Sequence, residues 1–167
     1  MNEIKDYLEL PLKELFADIG QRTPVPGGGS VAAAVGALGA SLARMAVAYT
    51  VGKPAYAEHD ELLRPVLDEL QQASDSFAAL MAQDMAAYQA YADARKGSAD
   101  EQQQAVAQAI AVPIRIIELA GSIAARLDEI KSFTNPHLFS DLQAAAVLVS
   151  AAADAAATSA RALSSVV

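Results

Sequence analysis

Asp84 is the residue in this chain placed to do acid–base chemistry. It interrupts a run of apolar residues at helical spacing, where a carboxylate is costly unless paired or protonated. Burial raises its pKa toward neutrality, which suits a general acid or base. Tyr88 follows one helical turn later and can hydrogen-bond to or stack on a flat ligand. The same spacing also fits a structural polar contact that fixes helix register.

A second candidate is Thr23-Pro24-Val25-Pro26-Gly27-Gly28-Gly29-Ser30. Two prolines stiffen the approach, and three glycines let the backbone turn where a Cβ would clash. A helix starts here, so Pro26, Gly27, Gly28, Gly29 and Ser30 are candidate ligand contacts, those after Pro26 through free N–H groups that favour an anion. A glycine loop that only lets helices cross closely fits equally well. The stretch has neither the lysine of a phosphate-binding loop nor a preceding strand.

Three polar groups remain. The planar fork of Arg44 suits a carboxylate, or a salt bridge at the surface. Lys53 is either an anion contact or a plain helix-end charge. Asn135, with Ser140 and Asp141, forms a polar cluster in a loop feeding a helix, and turn and capping chemistry accounts for the same residues. His59 and His137 are the only histidines and there is no cysteine. No metal centre is therefore expected.

The elements that must hold these groups are helical. Ile4, Leu8, Leu12, Leu15 and Ile19 share a face, predicting a first helix from Asn2 to about Gly20, split at Pro11. A second runs from Gly27–Ser30 to about Gly52. It carries a large apolar seam (Val31, Val35, Leu38, Leu42, Met45, Tyr49) beside a small one (Ala32, Gly36, Gly39, Ala43, Ala46). Both seams are expected to be buried. A third helix spans Tyr56 or Glu58 to Arg95, with Pro65 at a first turn or a kink and Asp84 in its heptad seam. A fourth spans Asp100 to Ser132, kinked at Pro113, with a close crossing at Gly121. A fifth starts at Leu138–Asp141 with Ser140 as its cap and runs to about Leu163.

The fold class expected is therefore all-α: one domain over 1–167, an up-and-down bundle of about five helices. The long smooth seams exceed what one small bundle needs and point to a homodimer. Hydrophobic residues make up 53% of the chain, many of them alanine, and this excludes disorder. The net charge of −8 opposes a nucleic-acid or acidic-membrane partner. Val31–Val51 is long enough to span a membrane, but its small residues and Arg44 fit a buried central helix better. The start lacks an apolar signal core. A cytoplasmic location is expected.

In order along the chain, the Pro-Gly-Gly-Gly-Ser helix start, Thr50-Val51-Gly52-Lys53, Asp84-Met85-Ala86-Ala87-Tyr88, Val112-Pro113 and Asn135…Ser140-Asp141 resemble the cyclodeaminase/cyclohydrolase family. The family comprises the cyclodeaminase domain of formiminotransferase-cyclodeaminase and bacterial methenyltetrahydrofolate cyclohydrolases. The resemblance implies a helical homodimer binding tetrahydrofolate near the subunit interface, with no cofactor beyond that substrate. It implies acid–base chemistry by Asp84 at a one-carbon unit between two folate nitrogens. Pro26 to Ser30, Lys53, Tyr88, Asn135, Ser140 and Asp141 would meet the folate. A non-catalytic helical dimer binding a folate-like or other anionic molecule is the alternative. Three departures touch polar positions: Ala48-Tyr49 stands where relatives carry Asn-Leu, Ser159-Ala160 where they carry Asn-Val, and the loop reads Asn135-Pro136-His137. The chain stops at Val167, so a final helix of the relatives is expected to be missing.

Overall fold

The computed structural model describes residues 4–165. Helix α1 spans Leu12–Ile19, α2 Gly28–Ala48, α3 Asp60–Ala94, α4 Ala99–Ile130 and α5 Phe139–Ser164. Single 3-10 turns at Pro54–His59 and Pro136–Leu138 lead into α3 and α5. Among the described residues there is no β-strand. Helices α2 to α5 form a four-helix bundle. α2 packs on α3 and α5, and α4 packs on the same two from the opposite corner. Short connections make consecutive helices antiparallel.

The first helix is shorter than the periodicity predicts. Residues 4–11 are turn and coil, and the expected start at Asn2 lies outside the described residues. Pro11 is the reason. Its backbone is extended (φ −56°, ψ 137°) and it forms the N-cap of α1, while its ring also pushes the residue before it out of the helical region. α2 also ends early, at Ala48. Gly52 then reverses the chain with φ +78°, a left-handed conformation that favours glycine. Ser140 does not cap α5, since the helix has already begun at Phe139 behind Leu138. Ser98 is a cap instead. It accepts from the Glu101 N–H while the Glu101 carboxylate accepts from Ser98, a box legible in Ser98-x-x-Glu101. Gly121 makes no close crossing, because a Cβ there would enter open space.

The two seams of α2 do not share the interior. Ala32, Gly36, Gly39, Ala43 and Ala46 are buried. In the large seam, Leu38 is 60% and Tyr49 55% exposed, and Val31, Val35, Leu42 and Met45 are only half-buried. Small residues win the interior because they let neighbouring helices approach to where dispersion contacts are dense. A Cβ on Gly36 would sit 2.7 Å from the Phe77 ring, and one on Gly39 would sit 2.8 Å from Val149. Length and composition alone would let α2, α4 and α5 cross a membrane. Here the alanine-rich faces of α2 and α5 and the Val112, Ile116, Ile123 and Leu127 face of α4 pack into the bundle.

Helix α1 lies outside the four-helix core. Its Leu12, Leu15, Phe16 and Ile19 face Val35 and Leu38 of α2 across an apolar groove of ≈ 300 Å³. Asp18 ties it to the preceding segment, accepting from Lys5 Nζ at 2.7 Å and Tyr7 Oη at 2.8 Å. These bonds hold the Asp18 carboxyl below its ordinary range.

Candidate active site

The start of α2 meets the second half of α3 at Asp84. Gly27 is the extended N-cap of α2. Residues 28–30 are its first turn, where N–H groups have no partner within the helix. Ser30, itself buried, donates its hydroxyl to Asp84 Oδ2 at 2.7 Å, and its backbone N–H, in the unpartnered first turn of α2, lies close enough to favour the charged carboxylate. The helix start thus holds an anion that belongs to the protein itself. Gly29 is required by the same contact, because a Cβ there would lie 2.6 Å from Asp84 Cγ and overlap Oδ1. Burial pushes the Asp84 carboxyl up from its ordinary range, and the Ser30 hydroxyl and backbone N–H partly oppose that.

Asp84 opens onto a cavity of ≈ 340 Å³. Gly27, Gly28 and Gly29 form one wall, Tyr88 and Tyr91 another, and Ser159, Ala162 and Leu163 of α5 a third. Pro24 and Val25 close the rim. The two tyrosines meet edge to face with centroids 5.7 Å apart, presenting an aromatic surface beside a carboxylate. Asp84 is the one charged side chain in this lining among the described residues. The site can therefore exchange a proton with a flat ligand, but it offers no cation to an anionic one.

The structure brings Asp84, Gly27, Gly28, Gly29, Ser30 and Tyr88 together, with the buried Pro26 just before the turn. Lys53, Asn135, Ser140 and Asp141 stand at the other end of the bundle. The 21 residues of α2 separate the two ends by roughly 30 Å at a rise of ~1.5 Å per residue. Arg44 is exposed on α2, about 20 Å along the helix from Gly29 by the same rise. Lys53 is exposed and lies 6.0 Å over the Tyr49 ring. Ser140 is exposed and Asp141 half-buried in the first turn of α5, where a carboxylate complements the helix dipole.

Asn135 has a clear local role. Its backbone N–H donates to Thr50 Oγ1 at 3.0 Å, and its side-chain oxygen accepts from Tyr56 Oη and the His137 N–H. Thr50 is fully buried and donates in turn to Ala46 O. This network joins the α4–α5 loop to the end of α2. Replacing Thr50 by Val keeps the shape but leaves a buried N–H unpaired. We expect that to cost about 1–3 kcal/mol, read as a lower urea midpoint with unchanged m-value.

Tyr91 and Ser159 also line the cavity, Ser159 being one of the polar positions where the sequence departs from the family pattern. Tyr91 was legible, standing seven residues after Asp84 and three after Tyr88 on one helix face. Ser159 is placed by the packing of α5 on α2, which brings it to within 3.2 Å of where a Gly28 Cβ would stand.

Comparison with known proteins adds independent findings. A family model described as formiminotransferase-cyclodeaminase matches residues 11–162. The chain is 34% identical over 152 residues to formimidoyltransferase-cyclodeaminase of Sus scrofa, covering 85% of this chain and 28% of that protein. With a methenyltetrahydrofolate cyclohydrolase of Methylorubrum extorquens it shares 36% identity over 78 residues, 46% of this chain and 38% of the relative. The chain thus spans less than two thirds of the length of these curated relatives. The crystal structure of formiminotetrahydrofolate cyclodeaminase from Thermotoga maritima superposes with a TM-score of 0.93 at 29% identity, covering 96% of this chain and 81% of the other.

Proposed function

The chain belongs to the formiminotransferase-cyclodeaminase family, and from that premise we propose that it is a folate one-carbon enzyme whose acid–base group is Asp84. The carrying observation is the half-buried Asp84 carboxylate, held by Ser30 at the mouth of an aromatic-walled cavity. In the cyclodeaminase reaction, N10 of 5-formimidoyltetrahydrofolate attacks the formimidoyl carbon. The N10 proton leaves, the carbon–nitrogen bond to the terminal amino group breaks, and ammonia departs with a proton. One carboxyl group can accept the first proton and deliver the second. Burial moves its pKa upward, the direction that suits a group both accepting and delivering a proton. The cavity is at the small end of ligand sites, ~300–1,000 Å³, so it suits the ring head of a folate with the tail outside. Tyr88 and Tyr91 would flank that head. No further cofactor enters this scheme, and the reading places the enzyme in the cytoplasm.

The likeness to a cyclohydrolase supports a second reading. There, water adds to the 5,10-methenyl carbon, with Asp84 taking the water proton and a carbon–nitrogen bond breaking afterwards. Turnover of 5-formimidoyl- and 5,10-methenyltetrahydrofolate by the wild-type chain separates the two. With Asp84 as the base, kcat/KM falls on the acid side with an apparent pKa above the ordinary carboxylate range, because burial disfavours the ionised form. Turnover of neither substrate, with folate still bound, leaves the non-catalytic dimer.

The homodimer belongs to the same proposal. Exposed Leu38 on α2, Tyr49 at its C-cap and Val147, 67% exposed on α5, support it as apolar surface left largely open within one chain. Two-fold pairing that runs the α2 helices antiparallel would set the Lys53–Asn135 end of one copy beside the Asp84 end of the other. In that arrangement Lys53, Asn135, Ser140 and Asp141 remain binding residues, and Lys53 supplies the cation the cavity lacks. Sedimentation at two concentrations is expected to give twice the chain mass.

A further inference from the structure

We propose that Ser30 is a positioning residue whose hydroxyl clamps Asp84 against the first turn of α2, so that the helix start serves the protein's own carboxylate and not an anionic ligand. The proposal rests on the acid–base reading of Asp84 and departs from its sequence-based assignment of Ser30 to substrate contact. Three observations carry it. The hydroxyl donates to Oδ2 at 2.7 Å. Ser30 is 1% exposed, so its side chain is shut off from a ligand. A Cβ at the preceding residue would occupy the space the carboxyl group fills, so Gly29 is the gap into which Asp84 docks.

The arrangement addresses a specific difficulty. A single buried carboxylate on a long helix is free to rotate about χ1 and to swing toward water. The Ser30 hydroxyl fixes one carboxylate oxygen, and it and the nearby Ser30 N–H favour the charged form against the burial that opposes it. Tyr88 and Tyr91 of α3 are the other titratable groups lining the cavity. The linings from α2, from α5 and from the segment before α2 contribute no charge. Burial is the larger influence on when Asp84 ionises, and Ser30 is the polar group set against it.

The test uses Ser30→Ala, Ser30→Thr and Gly29→Ala in the full chain. The readouts are kcat, KM, their pH profiles and the carboxyl titration of Asp84 followed by carbon-13 NMR. Loss of one bond to a charged group corresponds to about ten- to hundredfold in kcat, with KM little changed. In Ser30→Ala the acid limb of kcat/KM and the Asp84 titration both move to higher pH, because a donor to the ionised form is gone. Ser30→Thr restores both. Gly29→Ala displaces the carboxyl group toward water, so its titration moves the other way, to lower pH, while activity still falls. An Asp84 titration unmoved in Ser30→Ala overturns the proposal, as does Ser30→Ala raising KM alone, which would return Ser30 to substrate contact. Full activity of Asp84→Asn would sink the acid–base reading instead. The NMR titration still decides the clamp in that case, since it needs no turnover.

Discussion

Asp84→Asn is expected to lower kcat by about 10²–10⁴-fold, the usual contribution of a positioned general acid or base, without lowering thermal stability at neutral pH. The amide keeps the shape and can still accept the Ser30 hydroxyl, but it can neither take up nor release the proton. The stability half follows from linkage. The folded carboxyl titrates above its ordinary value, so the folded chain binds this proton more tightly than the unfolded one. Its contribution to stability is greatest below the unfolded pKa and declines as pH rises through the folded pKa. At pH 7 the ionised group therefore works against folding. Asparagine removes that cost, so Tm should equal or exceed that of the wild type, with the gap closing on acidification. A Tm several degrees lower with activity retained would make Asp84 the register-holding contact that its spacing also allows.

The second large effect is in the core, where Gly36 meets Phe77. Phe77 is fully buried and its ring occupies the place where a Cβ on Gly36 would go. Truncating the ring (Phe77→Ala) should cost about 3–5 kcal/mol from lost contacts and the cavity left behind. Adding a methyl at Gly36→Ala should cost about 1–3 kcal/mol, because the ring has nowhere to retreat. The double variant should fall short of the sum, because the new methyl enters the cavity that the lost ring vacates. Urea unfolding at one fixed protein concentration measures all three, the fixed concentration removing any effect of assembly. Strict additivity would mean that the two residues do not compete for the same space. The pair matters for function because the α2–α3 contact it sets continues, two turns on, to Ser30 and Asp84.

Much of the architecture was legible from periodicity. The repeat of Leu63, Leu70, Phe77 and Met81 defines one face of α3, and these residues are buried. The polar interruptions at 95–98 and 131–137 mark the turns, because Gly97 and Pro136 do not continue a helix. Pro11 was more disruptive than the apolar pattern around it suggested. A lost N–H and a steric clash act on one residue, whereas hydrophobic spacing only averages over many.

The sequence by itself determined that long helices form, that α2 carries two unlike seams, and that a carboxylate stands one turn before a tyrosine in an apolar run. It also marked the Gly27–Ser30 helix start as a place for an anion. Only the tertiary structure decided which seam faces inward and which anion is held. It also separated Lys53 and Asn135 from Asp84, and it brought in Ser159 from α5. The physical reason is that helical periodicity records which residues share a face, a property local to a few turns. Which face meets which neighbour depends on how closely backbones can approach. That distance is set jointly by Gly36 with Phe77, Gly39 with Val149, and Gly29 with Asp84, pairs of residues from different helices. The glycines at the start of α2 were open to reading as a cradle for a ligand. In the folded chain one of them makes room for Asp84, and Ser30 holds it there.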